Sequence, residues 1–281
     1  MENKIHFENN QGKVTMFLGG NGPVRVTALS GLGSPEKKYE TVTFAGKSGQ
    51  KTLSSVAQAR TVIISGDIFG GREVTENLIR ILDEPGTLEI EFGDKRRKIF
   101  CSQVNFSEGV RHGGYTSFVL SLTADGAYFT DVNPTEISIF QRRKMLDGDI
   151  VFPCVLTEKT TQADADNFGE VNVEPIISIC NYHDQGSPVE GSIVIENLTT
   201  NQKITLETGM EENETITVDI ENRTVSSSVR GTVTHLISDD TFLNRFWLAP
   251  GRNNLRASHG NEGEEISVAL TYYSNYREGV F

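Results

Sequence analysis

The chain has 281 residues, 37% of them hydrophobic and 23% charged, with a formal net charge of −12. This composition describes a core-bearing protein of one large or two ordinary domains and excludes a fibrous or disordered chain. The acidic balance argues against a nucleic-acid binder, which needs a positive face for phosphate, and no segment approaches the roughly 20 apolar residues that span a bilayer.

The charge is unevenly shared. Residues 1–135 hold 15 Lys+Arg and 15 Asp+Glu, whereas residues 136–281 hold 11 and 23. Two domains in different surroundings are therefore expected. Met1-Glu2-Asn3-Lys4-Ile5-His6 has neither a basic start nor an apolar run, so no signal peptide is expected. Cys101, Cys154 and Cys180 lie far apart without metal spacing and read as buried thiols of a protein folded in a reducing cytosol.

In chain order, Lys13–Leu18 and Val24–Leu29 read as strands, with Gly19-Gly20-Asn21-Gly22-Pro23 turning between them. A strand near Tyr39 to Phe44 and the loop Ala45–Gly49 follow. Thr61–Ser65 is a β-branched run. Val74, Leu78, Ile81 and Leu82 then recur at the spacing that gives a helix one apolar stripe, with Glu73 and Glu76 near its start and Pro85-Gly86 beyond its end. Thr87–Phe92 alternates apolar Leu88, Ile90 and Phe92 with Thr87, Glu89 and Glu91, the period of a half-buried strand. Lys95–Cys101, Val104–Phe106 and Tyr115–Leu122 extend the series, and Phe118–Leu122 is expected to be a central strand. The expected fold is mainly β, an N-terminal β domain over residues 1–134 with one packed helix. Residues 135–170 read as a connecting region. A second domain over residues 171–281 has strands at Ile176–Cys180, Gly191–Glu196, Lys203–Glu207, Thr215–Asp219, Asn222–Val225 and Glu264–Tyr273, the pattern of an antiparallel β-sandwich. Asn181 to Gly186 is expected to be one of its turns.

Catalytic motifs fail on inspection. Gly46-Lys47-Ser48 resembles the end of a phosphate loop, but the position five residues before Gly46 is Thr41 and not glycine. Asp164, Asp166, Gly169 and Glu170 hint at calcium, yet a binding loop would want oxygen ligands where Phe168 and Pro175 stand. The histidines His6, His112, His183, His235 and His259 form no ligand pair, and no Ser-His-Asp set or nucleophile elbow stands out. Glu211-Glu212 and Glu264-Glu265 sit in polar, turn-like surroundings where nothing raises a carboxyl pKa. Asn105, Asn197, Asn213 and Asn222 begin N-x-S/T triplets that read as chance matches. No catalytic residue, cofactor or metal is expected. Trp247, alone of its kind, has two readings: a sugar platform with Tyr272 or Tyr273, or a core residue between Phe246 and Leu248.

Several segments resemble the distal tail proteins of long-tailed bacteriophages and related prophage particles. In the first half these are Leu29–Gly33, Arg60–Asp67, the helix, Pro85–Leu88 and Arg97–Ile99. Ala124–Phe129 stands where that family often has a Cys-Pro-Asp-Pro-Tyr/Phe run, and here the cysteine and both prolines are missing. In the second half Gly169–Ile177, Asn197–Thr200, Asp219–Val225, Leu248–Leu255 and Leu270–Tyr273 resemble the C-terminal domain. The resemblance implies a hexameric ring built by the first domain, with a galectin-like sandwich projecting outward. It implies a structural adaptor of the virion tail, made in the host cytoplasm, that joins the tail tube to the hub or tip protein. Receptor-binding or side-fibre proteins are its further expected partners, and DNA passes through without specific binding. On that reading Lys95, Arg96, Arg97 and Lys98 are candidates for a ring or tube interface. The rival reading is a carbohydrate-binding sandwich using Trp247, Tyr272 and Tyr273.

Overall fold

Alternating apolar residues build most of the strands. A computed structural model describes residues 3–19, 22–144, 157–181, 191–207, 209–259 and 266–279. It divides the chain into two units, Met1–Val132 with Asn275–Phe281, and Asn133–Ser274. By sequence the first unit holds 16 Lys+Arg against 16 Asp+Glu and the second 10 against 22, so the second carries all of the net charge.

The first unit contains β1 (Asn3–Asn9), β2 (Gly12–Leu18), β3 (Val24–Ser30), β4 (Lys37–Val42), β5 (Lys51–Ala57) and β6 (Arg60–Phe69). Helix α1 (Arg72–Ile81) follows, then β7 (Gly86–Phe92), β8 (Lys95–Cys101), β9 (Gln103–His112), β10 (Tyr115–Ala124) and β11 (Phe129–Asp131). Ten strands form one sheet in the order β23-β11-β8-β7-β1-β2-β3-β6-β10-β9, where β23 (Asn275–Tyr276) comes from the far end of the chain. Strands β8 and β9 are joined by Ser102 alone yet lie on opposite sides of that order, and the Ser102 N–H donates to Thr123 O on β10 at 2.9 Å. The sheet therefore curls back on itself. Its inner face buries Ile5, Phe7, Met16, Ile64, Leu88, Ile90, Leu120 and Leu122, each side chain stabilising by about 1.5–3 kcal/mol.

The helix forms as its stripe predicts. Leu78 and Ile81 are buried with Thr75, and Leu82 caps the C-terminal end. Asn9, at the end of β1, donates through Nδ2 to Ile81 O at 2.6 Å, a carbonyl the helix leaves open, and to Glu84 O in the following turn at 3.2 Å.

Strands β2 and β3, on either side of the expected turn, run parallel, with Phe17 beside Arg25. Two sequence expectations change here. Strand β10 is not central, because β9 lies outside it, and its side chains alternate between buried and exposed instead of being buried on both faces. Residues 135–170 are not a connector, since they supply β12 (Thr135–Lys144), β13 (Thr157–Thr160) and β14 (Gln162–Asn167).

The second unit continues with β15 (Ile176–Asn181), β16 (Ser192–Asn197), β17 (Gln202–Glu207), β18 (Thr215–Asp219), β19 (Thr224–Ser227), β20 (Gly231–Thr232), β21 (Gly251–His259) and β22 (Ile266–Tyr272). These make an antiparallel sandwich of two sheets, β13-β12-β22-β15-β18-β19-β20 and β14-β21-β16-β17. Ile177, Ile179, Ile193, Ile195, Ile204, Leu206, Val218 and Leu270 fill the space between them. Strand β14, Gln-Ala-Asp-Ala-Asp-Asn, has a single fully buried apolar residue, Ala165, and owes its extended form to pairing with β21. The turn expected at Asn181–Gly186 lies, beyond Asn181, outside the described residues, as do Cys154 and His183.

Candidate functional site

The curl of the first unit leaves one face of its sheet pointing outward, and alternation decides what that face carries. On β1, β2, β7 and β8 it is densely charged. Lys4 and Arg96 flank Glu91, and His6 and Lys98 flank Glu89. Arg96 is ion-paired with Glu89, Lys13 with Glu8 at 3.3 Å, and the His6 ring meets Thr15 Oγ1 at 2.9 Å. Burial, with Lys13 nearby, lowers the pKa of His6 despite the carboxylates of Glu89 and Glu91.

On β3, β6, β10 and β9 the same outward face carries no charge over three successive rows. Read across the strands, these are Thr61–Thr123–Gln103, Ser30–Ile63–Ser121–Asn105 and Ala28–Ser65–Val119–Ser107. Ile63 and Val119, near its centre, are 41% and 45% exposed. The next row, Arg25–Asp67–Ser117, restores charge. A field of hydroxyls, amides and three aliphatics costs less to desolvate than the charged face beside it, and depletion of charge marks the core of contact surfaces.

Two further features of this unit have no further strand partner among the described residues. Strands β4 and β5 pair only with each other and form a ribbon whose residues are nearly all exposed, including Tyr39, Leu53 and Val56 at 59%, 63% and 59%. A lone two-stranded ribbon is marginal in water, so such an arm is stabilised by resting on something else. Strand β9 is the second feature, a ten-residue edge at the end of the sheet with Val110 exposed and a bulge near Gly109. Long open edges invite added strands.

The basic run on β8 has largely been put to use. Arg97 stacks on Tyr276, its guanidinium carbon 3.8 Å from the ring centre, and donates to Glu278 O at 2.5 Å. Lys98 donates to Val132 O at 2.9 Å, and Arg96 holds Glu89. The run is thus divided between the two faces of a strand and is no bare cationic patch.

The three aromatics read as a possible platform are placed differently in the second unit. Tyr272 faces the core, 2% exposed, and its hydroxyl donates to Asp166 O at 2.9 Å. It is therefore removed from the glycan-platform candidates. Trp247 is half-buried between the buried Phe246 and Leu248, and Tyr273 is exposed. The Trp247 backbone is fixed at both ends, its N–H donating to Gln202 Oε1 at 2.9 Å and its carbonyl accepting from Asn197 Nδ2 at 3.0 Å.

Buried asparagines, which sequence reasoning passed over, hold the surrounding loops. Asn253 donates through Nδ2 to Ala165 O, Ala249 O and Gly251 O, and accepts through Oδ1 from Ala249 N–H and Asn197 Nδ2. Asn167 donates to Val171 O and Leu248 O. The only sequence hint is their place at strand ends, where short amides mimic turns. Elsewhere, Glu214 is buried with Ser227, Arg230 and the Glu211 N–H on its carboxylate. Burial alone would raise its pKa, but those donors prevail and lower it.

Among the described residues no three His, Cys, Asp or Glu side chains stand close enough to hold a metal. The groove beside α1, about 350 Å³ and lined by Arg72, Thr75, Glu76, Glu108 and Arg111, is open and polar. Burial pushes the Cys101 thiol up to about 12, the opposite of an activated nucleophile.

Residues 169–276 match the family model described as siphovirus-type tail component, C-terminal domain. Over that stretch the match bears out the resemblance read from Gly169–Ile177, Leu248–Leu255 and the segments between. The fold is shared with the Dit (gp 19.1) protein of phage SPP1, described as a paradigm of the hub adsorption apparatus in phages infecting Gram-positive bacteria. The two superpose with a TM-score of 0.66 at 13% identity, covering 96% of this chain and 98% of that one. A structure of the phage P2 baseplate in its activated conformation with Ca aligns over 96% of this chain and 97% of its own at 12% identity, with a TM-score of 0.46. No curated protein sequence matches the chain.

Proposed function

We propose that this chain is a distal tail protein, a non-enzymatic adaptor at the far end of a phage or prophage-particle tail. Six copies form a ring that joins the tail tube to the hub or tip protein, DNA crosses the ring without specific binding, and the second unit offers attachment to receptor-binding or side-fibre proteins. The observation that supports this best is a tail-component domain over residues 169–276 in the same chain as a first unit with unmated assembly elements. The β4–β5 ribbon and the β9 edge are different surfaces of one unit. Contact between a ribbon on one copy and an edge or uncharged face on the next is heterologous, the kind of contact that closes into rings. Within that ring Lys95 and Arg96, the exposed members of the basic run, face a neighbouring subunit or the tube.

Negative-stain images and light scattering of the purified chain, alone and with the tail tube protein as template, test the reading. Rings are expected from the full chain and not from one in which residues 37–57 are replaced by a short Gly-Ser turn, while both give the same folded far-UV spectrum. Rings that form without the ribbon refute the contact. A particle reconstruction placing the chain away from the distal end of the tail refutes the function.

A further inference from the structure

The first unit is not finished when its own residues end at Val132. Its sheet is completed by β23, from residues that follow the whole second unit. Strand β23 pairs antiparallel with β11, Phe129 opposite Tyr276 and Thr130 opposite Asn275. From Tyr276 onward, four successive residues are held one by one. Arg97 covers the Tyr276 ring and donates to Glu278 O. Arg60, 4% exposed, donates through Nη2 to Arg277 O at 2.5 Å. The Gly279 N–H donates to Leu32 O at 2.7 Å, and its Cα packs where a side chain would press within 3.3 Å of Leu32 and Phe129.

Arg60 is the knot in this arrangement. Its other donors reach Gly31 O at 3.0 Å, Gly33 O at 2.7 Å and Ala127 O at 3.0 Å, and its plane lies over Phe129, 4.6 Å from the ring centre. One guanidinium thus ties the 31–33 loop, the start of β6, the approach to β11 and the returning segment. Its partners are carbonyls, all on backbone, so side-chain chemistry elsewhere does not substitute for the returning chain. A five-donor planar fork suits four converging carbonyls, as a lysine would not.

We propose that residues 275–279 act as a strap that closes the first unit only after the second unit has been made. Until then one carbonyl partner of Arg60, both strap partners of Arg97 and the outer mate of β11 are missing, so the first unit stays open at β11 and at the 31–33 loop. The strap makes native closure of the first unit conditional on a chain translated through Gly279. This inference rests on the geometry inside the first unit and stands whether or not six copies form a ring.

The test compares hydrogen exchange in the full chain, a chain ending at Ser274, Arg97→Ala in each, and the shortened chain supplied with a synthetic Asn275–Phe281 peptide. Shortening is expected to speed exchange at Phe129–Asp131 by a factor of roughly ten or more while leaving β15–β18 unchanged. The peptide restores the slow rates. Arg97→Ala has its effect in the full chain and adds nothing once the strap is gone, because its partners are then already lost. Equal protection in the full and shortened chains overturns the proposal, as does a peptide without effect, an undiminished Arg97→Ala effect in the shortened chain, or loss of protection in both units alike.

Discussion

Replacing Arg60 by Met tests whether the carbonyl knot stabilises the first unit or merely occupies it. The substitution keeps a similar stem and deletes the guanidinium, leaving the carbonyls of Gly31, Gly33, Ala127 and Arg277 without their donor. Each dry carbonyl costs about 1–3 kcal/mol, whereas the variant avoids the several kcal/mol of desolvating a cation. Stacking on Phe129 is also lost, worth about 0.5–2 kcal/mol. With partial relaxation and water entry, the net loss falls at about 3–5 kcal/mol, within the range for breaking a buried charged contact set. Against a typical total of about 5–15 kcal/mol, that is roughly a third or more of the stability of an ordinary domain. Urea unfolding at pH 7, followed by exchange at Leu120 for the first unit and at Ile179 for the second, reads the two units separately. A loss below about 1 kcal/mol, or an Arg60→Lys chain as stable as the parent, refutes the argument from fork geometry.

In the second unit, Asn253→Ala removes a fully buried amide that serves five backbone and side-chain partners and is expected to cost about 2–4 kcal/mol, measured as a lowered midpoint of its urea transition. Glu214 has its folded pKa lowered from 4.5, so its contribution is fully present above that pH and is lost as the pH falls through the lower folded value. Acid titration of the second unit's stability should therefore steepen below pH 4.5, and Glu214→Gln should flatten that segment. Gly31 sits at φ +84° with its missing Cβ 2.1 Å from Thr61 O, so Gly31→Ala should destabilise the first unit by more than about 1 kcal/mol, read by thermal unfolding. Cys101, buried with its thiol raised to about 12, should react with a thiol reagent only at the rate at which the first unit opens.

Much of this architecture was legible one segment at a time. The stripe Val74, Leu78, Ile81 and Leu82 announced the helix, and the alternation of Thr87–Phe92 announced β7, because burial on one side of a regular element imposes its period on the sequence. The strands at Asn3–Asn9 and Lys51–Ala57 were not read. The first alternates over only two apolar residues, Ile5 and Phe7, too short a pattern to stand out, and the second has no buried face to pattern it. Gln162–Asn167 escaped for a related reason: its extended form comes from hydrogen bonds to β21, which any side chain tolerates.

The site followed the same division. Sequence alone located the basic residues Lys95–Lys98 and the aromatics Trp247, Tyr272 and Tyr273, and the run of tail-like segments in both halves. It did not determine that Arg97 turns to Tyr276, that Tyr272 points into the core, or that uncharged rows align across β3, β6, β10 and β9. Period and composition are properties of neighbours along the chain, so they fix which elements form and which side each residue takes. Register, the curl of the sheet and the return of residues 275–279 bring together groups as far apart as Arg60 and Arg277. Only the folded chain decides those meetings, because their free energy comes from contacts that no local stretch contains.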